Sequence, residues 1–237
     1  MTNLEDALVA VEAGADAVGF VFYEKSPRCV TLETAREIVE KLPERVEKIG
    51  VFVGPDPDPM QVLLRAGLTG TQSYISLDGI AGSRGSSCAT EVSLLPPRAR
   101  FMMAFPIRLF GDDMRPLEQM VAGFAASRKN APADVSIPEE LGDTFLLDSG
   151  NSRQPGGTGS TFEWIKACSL AEGMRNSGLK LVVAGGLTPE NVGEAIDRLH
   201  PWGVDVASGV EARPGKKDPE KVRAFVRAVR ETDRKNA

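Results

Sequence analysis

Three places in the sequence concentrate glycine and serine in the loops that follow short apolar runs: Gly156-Gly-Thr-Gly159 in the loop after Asp148, Gly185-Gly186 after Val183 and Ser208-Gly209 after Val206. Lacking a side chain, glycine lets backbone N–H groups close on an anion, and a short helix starting there aims its positive end at the same point. Loops after the seventh and eighth strands of a β/α barrel are a recurrent phosphate site of this kind. The same glycines would also be explained if they only close tight strand-to-helix turns. Asp148 ends the apolar run Thr144-Phe-Leu-Leu-Asp148. A carboxyl group there would face the active rim of a barrel, partly desolvated, where its proton affinity rises toward general-acid duty; many such aspartates simply cap the next loop. Asp205, inside Val204-Asp-Val-Ala207, must find a partner or face an open mouth. Arg28, in Glu24-Lys-Ser-Pro-Arg28, is suited to a two-pronged contact with a substrate carboxylate, or is a solvated loop arginine.

Other reactive side chains are sparse. His200 is the sole histidine and ends a helical run before Pro201-Trp-Gly203, a surface or C-capping position. Ser-His-Asp catalysis and histidine-rich metal sites are therefore disfavoured, and no metal ligand set is assigned. Cys29, Cys88 and Cys168 form no CxxC pair, and no basic cluster marks one as a thiolate. Cys168 lies among apolar helix positions, and Trp164 reads as packing.

These residues need elements to hold them. Short β-branched or aromatic runs alternate with helix-like segments, the pattern of parallel strands with crossover helices. Strands are expected at Asp16–Phe22, Lys48–Val53, Thr71–Ile75, Arg100–Ile107, Thr144–Asp148, Leu181–Ala184 and Val204–Ala207. Helices are expected at Leu4–Ala13 behind an Asn3 cap, Thr31–Leu42, Met60–Ala66, Leu117–Ser127, Glu190–Leu199 and Pro219–Arg230. Asn130–Pro138 reads as a loop, and Gly79–Ser87 carries no helical stripe where a crossover helix should fall. About seven strands in 237 residues fit an eight-fold (β/α)8 TIM barrel of ~250 residues, one domain over 1–237. The chain starts with a helix, so the strand lacking is the first. A doubly wound Rossmann sheet is disfavoured because no strand runs straight into G-x-G-x-x-G.

Composition narrows the function classes. Apolar residues make up 42% and charged residues 26%, and 28 basic against 33 acidic side chains leave a net charge of −5. That excludes a strongly basic nucleic-acid-binding domain and a disordered chain. Three widely spaced cysteines point to a reducing compartment, the cytoplasm by default. The longest apolar stretches, such as Leu179 to Leu187, fall short of the ~20 residues a membrane helix needs.

Taken in order, the motifs closely resemble the phosphoribosylanthranilate isomerase family. They are Thr2-Asn-Leu-Glu-Asp-Ala7 with Ala13-Gly-Ala-Asp-Ala17, Gly19-Phe-Val-Phe22 with Ser26-Pro-Arg28, and Gly50-Val-Phe-Val53. Leu146-Leu-Asp-Ser149, Gly156-Gly-Thr-Gly-Ser-Thr-Phe-Glu-Trp164, Ala184-Gly-Gly-Leu-Thr-Pro-Glu-Asn191 and Gly203-Val-Asp-Val-Ala-Ser-Gly-Val-Glu211 follow. The resemblance implies an Amadori rearrangement in tryptophan biosynthesis, in which N-(5′-phosphoribosyl)anthranilate opens its furanose ring to an aminodeoxyribulose phosphate without a cofactor. It also implies Asp148 as the acid that protonates the ring oxygen, and Arg28 and Asp205 as holders of the anthranilate carboxylate and amine. Gly185, Gly186, Ser208 and Gly209 would form the phosphate cradle. The expected partner is a small phosphosugar, with neither nucleic acid nor membrane.

The departures are as specific as the matches. The family's general base is a cysteine in a Lys-Ile-Cys-Gly sequence just before the Thr-Asn pair, and here only Met1 precedes Thr2. The expectation is that Met1 is an internal methionine of a longer protein and that strand 1 with its cysteine lies upstream. Cys29 stands where the family is usually aromatic and does not replace that thiol. Gln72-Ser-Tyr-Ile75 stands where the family usually has Gln-Leu-His-Gly, the segment 72–95 is irregular, and Ser160 stands where lysine is frequent. Two competing readings are a related phosphate-binding barrel such as indoleglycerol-phosphate synthase, and a non-catalytic phosphosugar-binding barrel fragment or pseudoenzyme.

Overall fold

The computed structural model describes residues 1–54, 57–74, 99–111, 113–129, 141–149 and 164–236. Seven strands form one parallel sheet in sequential order: β1 (Ala17–Val21), β2 (Glu47–Val53), β3 (Gly70–Tyr74), β4 (Arg100–Pro106), β5 (Leu141–Asp148), β6 (Lys180–Val183) and β7 (Gly203–Val204). Helices α1 (Leu4–Ala13), α2 (Leu32–Val39), α3 (Pro59–Ala66), α4 (Arg115–Lys129), α5 (Cys168–Asn176), α6 (Val192–Leu199) and α7 (Pro219–Asn236) accompany them. A two-stranded antiparallel hairpin, β8 (Glu211–Arg213) and β9 (Lys216–Lys217), precedes α7.

Local chemistry explains the boundaries. The Asn3 side chain accepts from the Asp6 amide at the start of α1, and Gly14 ends that helix in the left-handed region. Thr31 caps α2 by accepting from the Thr34 amide, and Asp58 with Pro59 opens α3. His200 takes the C-cap of α6 at φ 43° and donates its backbone N–H to Ile196 O, so it is a helix terminator as expected.

Alternation along the strands separates two apolar layers. Phe20, Phe52, Phe105, Phe145, Leu147 and Val183 pack outward under the helices. The opposite face carries Met102, Ala104, Leu146, Val182 and Ala184, with Tyr74 against them. Asp148 lies two residues beyond Leu146, so the strand period puts it on this concave face at the C-terminal end of β5. This curled parallel sheet with outer helices is the expected barrel architecture, and all seven expected strands are present.

Several boundaries differ. The expected strand Val204–Ala207 is only Gly203–Val204, because the chain turns at Ala207 into the short 3-10 helix Ser208–Val210. The helix expected from Glu190 starts at Val192, since the Asn191 side chain turns back to accept from the Thr188 amide at 2.8 Å. The terminal helix continues six residues further than expected, to Asn236. Expectations for Gly79–Ser87, Asn130–Pro138, Gly156–Gly159, Ser160 and Cys88 fall outside the described residues. Among those residues β1 and β7 are not hydrogen-bonded to each other, and a cavity of about 970 Å3 opens between them. In that gap the Met1 amine donates to Gly19 O.

Candidate active site

Arg28, Asp148 and Asp205, chosen from the sequence far apart in the chain, line the same cavity. Gln72, Tyr74, Glu211 and Lys217 line it with them. Gly185, Gly186, Ser208 and Gly209 do not line this cavity but lie in the loops beside it. A Cβ on Gly185, at φ +85°, would lie 2.3 Å from both the backbone N and the Oγ of Ser149, the residue after Asp148. A Cβ on Gly209 would lie 1.8 Å from Leu187 O. The loops after β5, β6 and β7 therefore touch backbone to backbone, which requires glycine at both positions. Asn191 holds the middle loop from behind, donating to Gly186 O at 3.0 Å.

Arg28 is not a solvated loop arginine. Its Nε and one terminal nitrogen each donate to a different oxygen of Glu211 at 2.8 Å, and the side chains are 14% and 5% exposed. This fork-on-fork pairing fixes the guanidinium plane at the rim. Glu211 also lies 3.5 Å from the Lys217 ammonium, which donates to Ala207 O at 2.8 Å. The Lys217 amide donates to Asp6 at 2.7 Å, and Lys216 pairs with the same carboxylate. One short hairpin thus ties the loop bearing Arg28, the loop bearing Ser208 and the start of α1 into one frame.

Asp205 is surrounded by protein yet reached by solvent through the cavity. Burial raises its pKa above the ordinary carboxylate value, opposed by the Lys217 and N-terminal cations. Burial pulls the Lys217 ammonium down, while Glu211 and Asp205 hold it up. Across the mouth, the Tyr74 hydroxyl donates to Asp148 Oδ2 at 2.6 Å.

Cys29 is exposed, and among the described residues no cysteine lines the cavity. Cys168, half-buried at the start of α5, packs against the main apolar core. Trp164 is buried, as expected of a packing residue. Among the described residues no group of three or more His, Cys, Asp or Glu side chains could hold a metal ion, and no helix is long and apolar enough to cross a membrane. Glu211, Lys217 and Tyr74 are the site residues that sequence reasoning passed over. Glu211 closes a motif and Tyr74 breaks one, but the pairing of Arg28 with a carboxylate 183 positions away leaves no local signal.

Comparison with known proteins agrees with the geometry. The family model described as N-(5′-phosphoribosyl)anthranilate isomerase matches residues 117–228. N-(5′-phosphoribosyl)anthranilate isomerase of Pelobacter propionicus is 39% identical over 98% of this chain and 93% of its own. That of Rubrobacter xylanophilus is 41% identical over 97% and 96%. The chain belongs to the phosphoribosylanthranilate isomerase family. Among solved structures, the Thermotoga maritima isomerase superposes with a TM-score of 0.70 at 34% identity, covering 98% of this chain and 96% of that one. An isomerase in complex with reduced 1-(o-carboxyphenylamino)-1-deoxyribulose 5-phosphate gives 0.69 at 33%, covering 98% and 95%. The family's isomerase activity in tryptophan biosynthesis, and with it the barrel fold, is the one expected from the motifs, in preference to the synthase and non-catalytic readings.

Proposed function

We propose that the cavity binds N-(5′-phosphoribosyl)anthranilate with its phosphate at the loops of Gly185, Gly186, Ser208 and Gly209. The anthranilate carboxylate then meets Arg28, Asp205 faces the amine, and Asp148 is the general acid. The single observation that carries this reading is the convergence of Arg28, Asp148 and Asp205 on one cavity beside the glycine loops.

The chemistry follows from the placement. Ring opening needs a proton on the furanose oxygen as the C1′–O bond breaks, with the anilino nitrogen supplying the electron pair that forms C1′=N. Asp148 gives up that proton and is left as a carboxylate. Loss of the C2′ proton to a base then forms the enolamine, which tautomerises to the ketone. Holding the phosphate at one side of the mouth and the aromatic carboxylate at the other fixes the sugar between them, so the proton transfers occur within one oriented complex. Glu211 prepares Arg28 for this by setting its plane in advance; two of its five N–H donors are engaged, and the planar fork keeps the rest in a fixed direction. The cytoplasm and residues 1–237 as one barrel domain complete the proposal.

Replacing Asp148 by Asn tests the assignment. Turnover, followed by loss of substrate fluorescence, falls by at least ~100-fold, the scale of general-acid contributions, while affinity for the reduced product analogue stays within a few-fold. An Asn variant that retains turnover removes Asp148 from the mechanism.

A further inference from the structure

Tyr74 is not accounted for by the mechanism above. It closes β3 on the concave face, two residues after Gln72, and both side chains point into the same space. In the sheet register Tyr74 stands opposite Ala104, which stands opposite Leu146. Asp148 is therefore a full strand away, across β4 and one step further up. The phenol reaches it because the residue between them is alanine; its hydroxyl passes over Ala104 to donate to Asp148 Oδ2 at 2.6 Å. The Gln72 side chain is buried on the same face and lines the same cavity. A carboxylate oxygen only accepts, so the phenol's own proton is directed at Asp148.

We propose that Tyr74 is the positioning residue for Asp148, orienting its carboxyl through the Tyr74–Asp148 hydrogen bond and stabilising the carboxylate left once the proton has been delivered. This rests on the reading of Asp148 as the acid. A donor aimed at a carboxylate favours its charged form, and the bond strengthens as charge develops during proton transfer. The phenol is a durable donor: burial, followed by the Asp148 charge and hydrogen bond, raises its pKa well above the usual tyrosine value. Asp205 is the other charged group that acts on the phenol, and Arg28, Glu47, Arg100, Glu211 and Lys217 are among the charged side chains lining the same cavity. Removing the Tyr74 hydroxyl changes none of these charges.

The test is the titration of Asp148 followed by carboxyl 13C NMR in the protein and in Tyr74→Phe, with Asp148→Asn assigning the resonance. Loss of one charge-assisted bond moves the midpoint upward by about one pH unit. Turnover in Tyr74→Phe falls mainly in kcat, and the limb of its pH profile that belongs to Asp148 moves by the same amount. A midpoint unmoved, or moved downward, overturns the proposal. If Tyr74→Phe does not fold, the ring Cζ resonance of Tyr74 in the unaltered protein reads the same contact. It titrates with the Asp148 midpoint when the hydrogen bond exists and stays flat through that range when it does not. An active Asp148→Asn variant together with a linked titration would reject the acid while keeping the Tyr74–Asp148 contact. An inactive one with unlinked titrations would do the reverse.

Discussion

Glu211→Gln removes the charge that sits between two cations, and the structure sets the size of the consequence. The carboxylate accepts two 2.8 Å bonds from Arg28 and lies 3.5 Å from Lys217, with only 5% of its side chain exposed. Removing one partner of a buried pair costs about 3–5 kcal/mol, because the remaining charge stays desolvated and unpaired. The Arg28 side chain touches the solvent of the cavity, so about 3 kcal/mol is expected here. Arg28→Met is milder, about 2 kcal/mol, since Glu211 keeps Lys217 as a counter-charge. Urea unfolding followed by circular dichroism measures both. With a slope of about 3 kcal/mol per M, Glu211→Gln lowers the midpoint by about 1 M. The double variant loses less than the sum of the singles by at least about 1 kcal/mol. Equal losses in the two singles, or strict additivity, would refute this account of how the rim is held.

Further consequences can be measured in the same way. Gly185→Ala places a Cβ 2.3 Å from Ser149 at φ +85°, so it loses about 2–4 kcal/mol and weakens inorganic phosphate binding, read by calorimetry; wild-type stability would contradict the backbone contact. Asp205 has a raised pKa, so its contribution to stability is present below about 3.9 and is lost as pH rises through the raised value. The unfolding free energy of the protein minus that of Asp205→Asn therefore falls as the pH rises above about 4, and a flat difference would exclude the burial argument.

How much of this was legible beforehand depended on the range of the interaction. Caps at Asn3, Thr31 and Asp58 act within one turn, and strand periodicity is a property of a few residues, so the elements could be read directly. The concave placement of Asp148 followed from its position two beyond Leu146 on a strand. The end of β7 was misjudged because an apolar run, Val204 to Ala207, promises a strand while the turn at Ala207 is set by its neighbours. Site partners were harder still. Glu211 meets Arg28 only after the hairpin folds back across the rim, and Tyr74 meets Asp148 only because Ala104 leaves room between them. Those contacts belong to the curled sheet as a whole and to no local segment.

The most direct measurement is a crystal structure of the protein soaked with reduced 1-(o-carboxyphenylamino)-1-deoxyribulose 5-phosphate. The phosphate is expected on the backbone amides of Gly186, Ser208 and Gly209, the aromatic carboxylate on Arg28, and the Asp148 carboxyl within hydrogen-bond reach of the sugar chain. An analogue seated elsewhere, or one whose sugar lies beyond the reach of Asp148, would contradict the account.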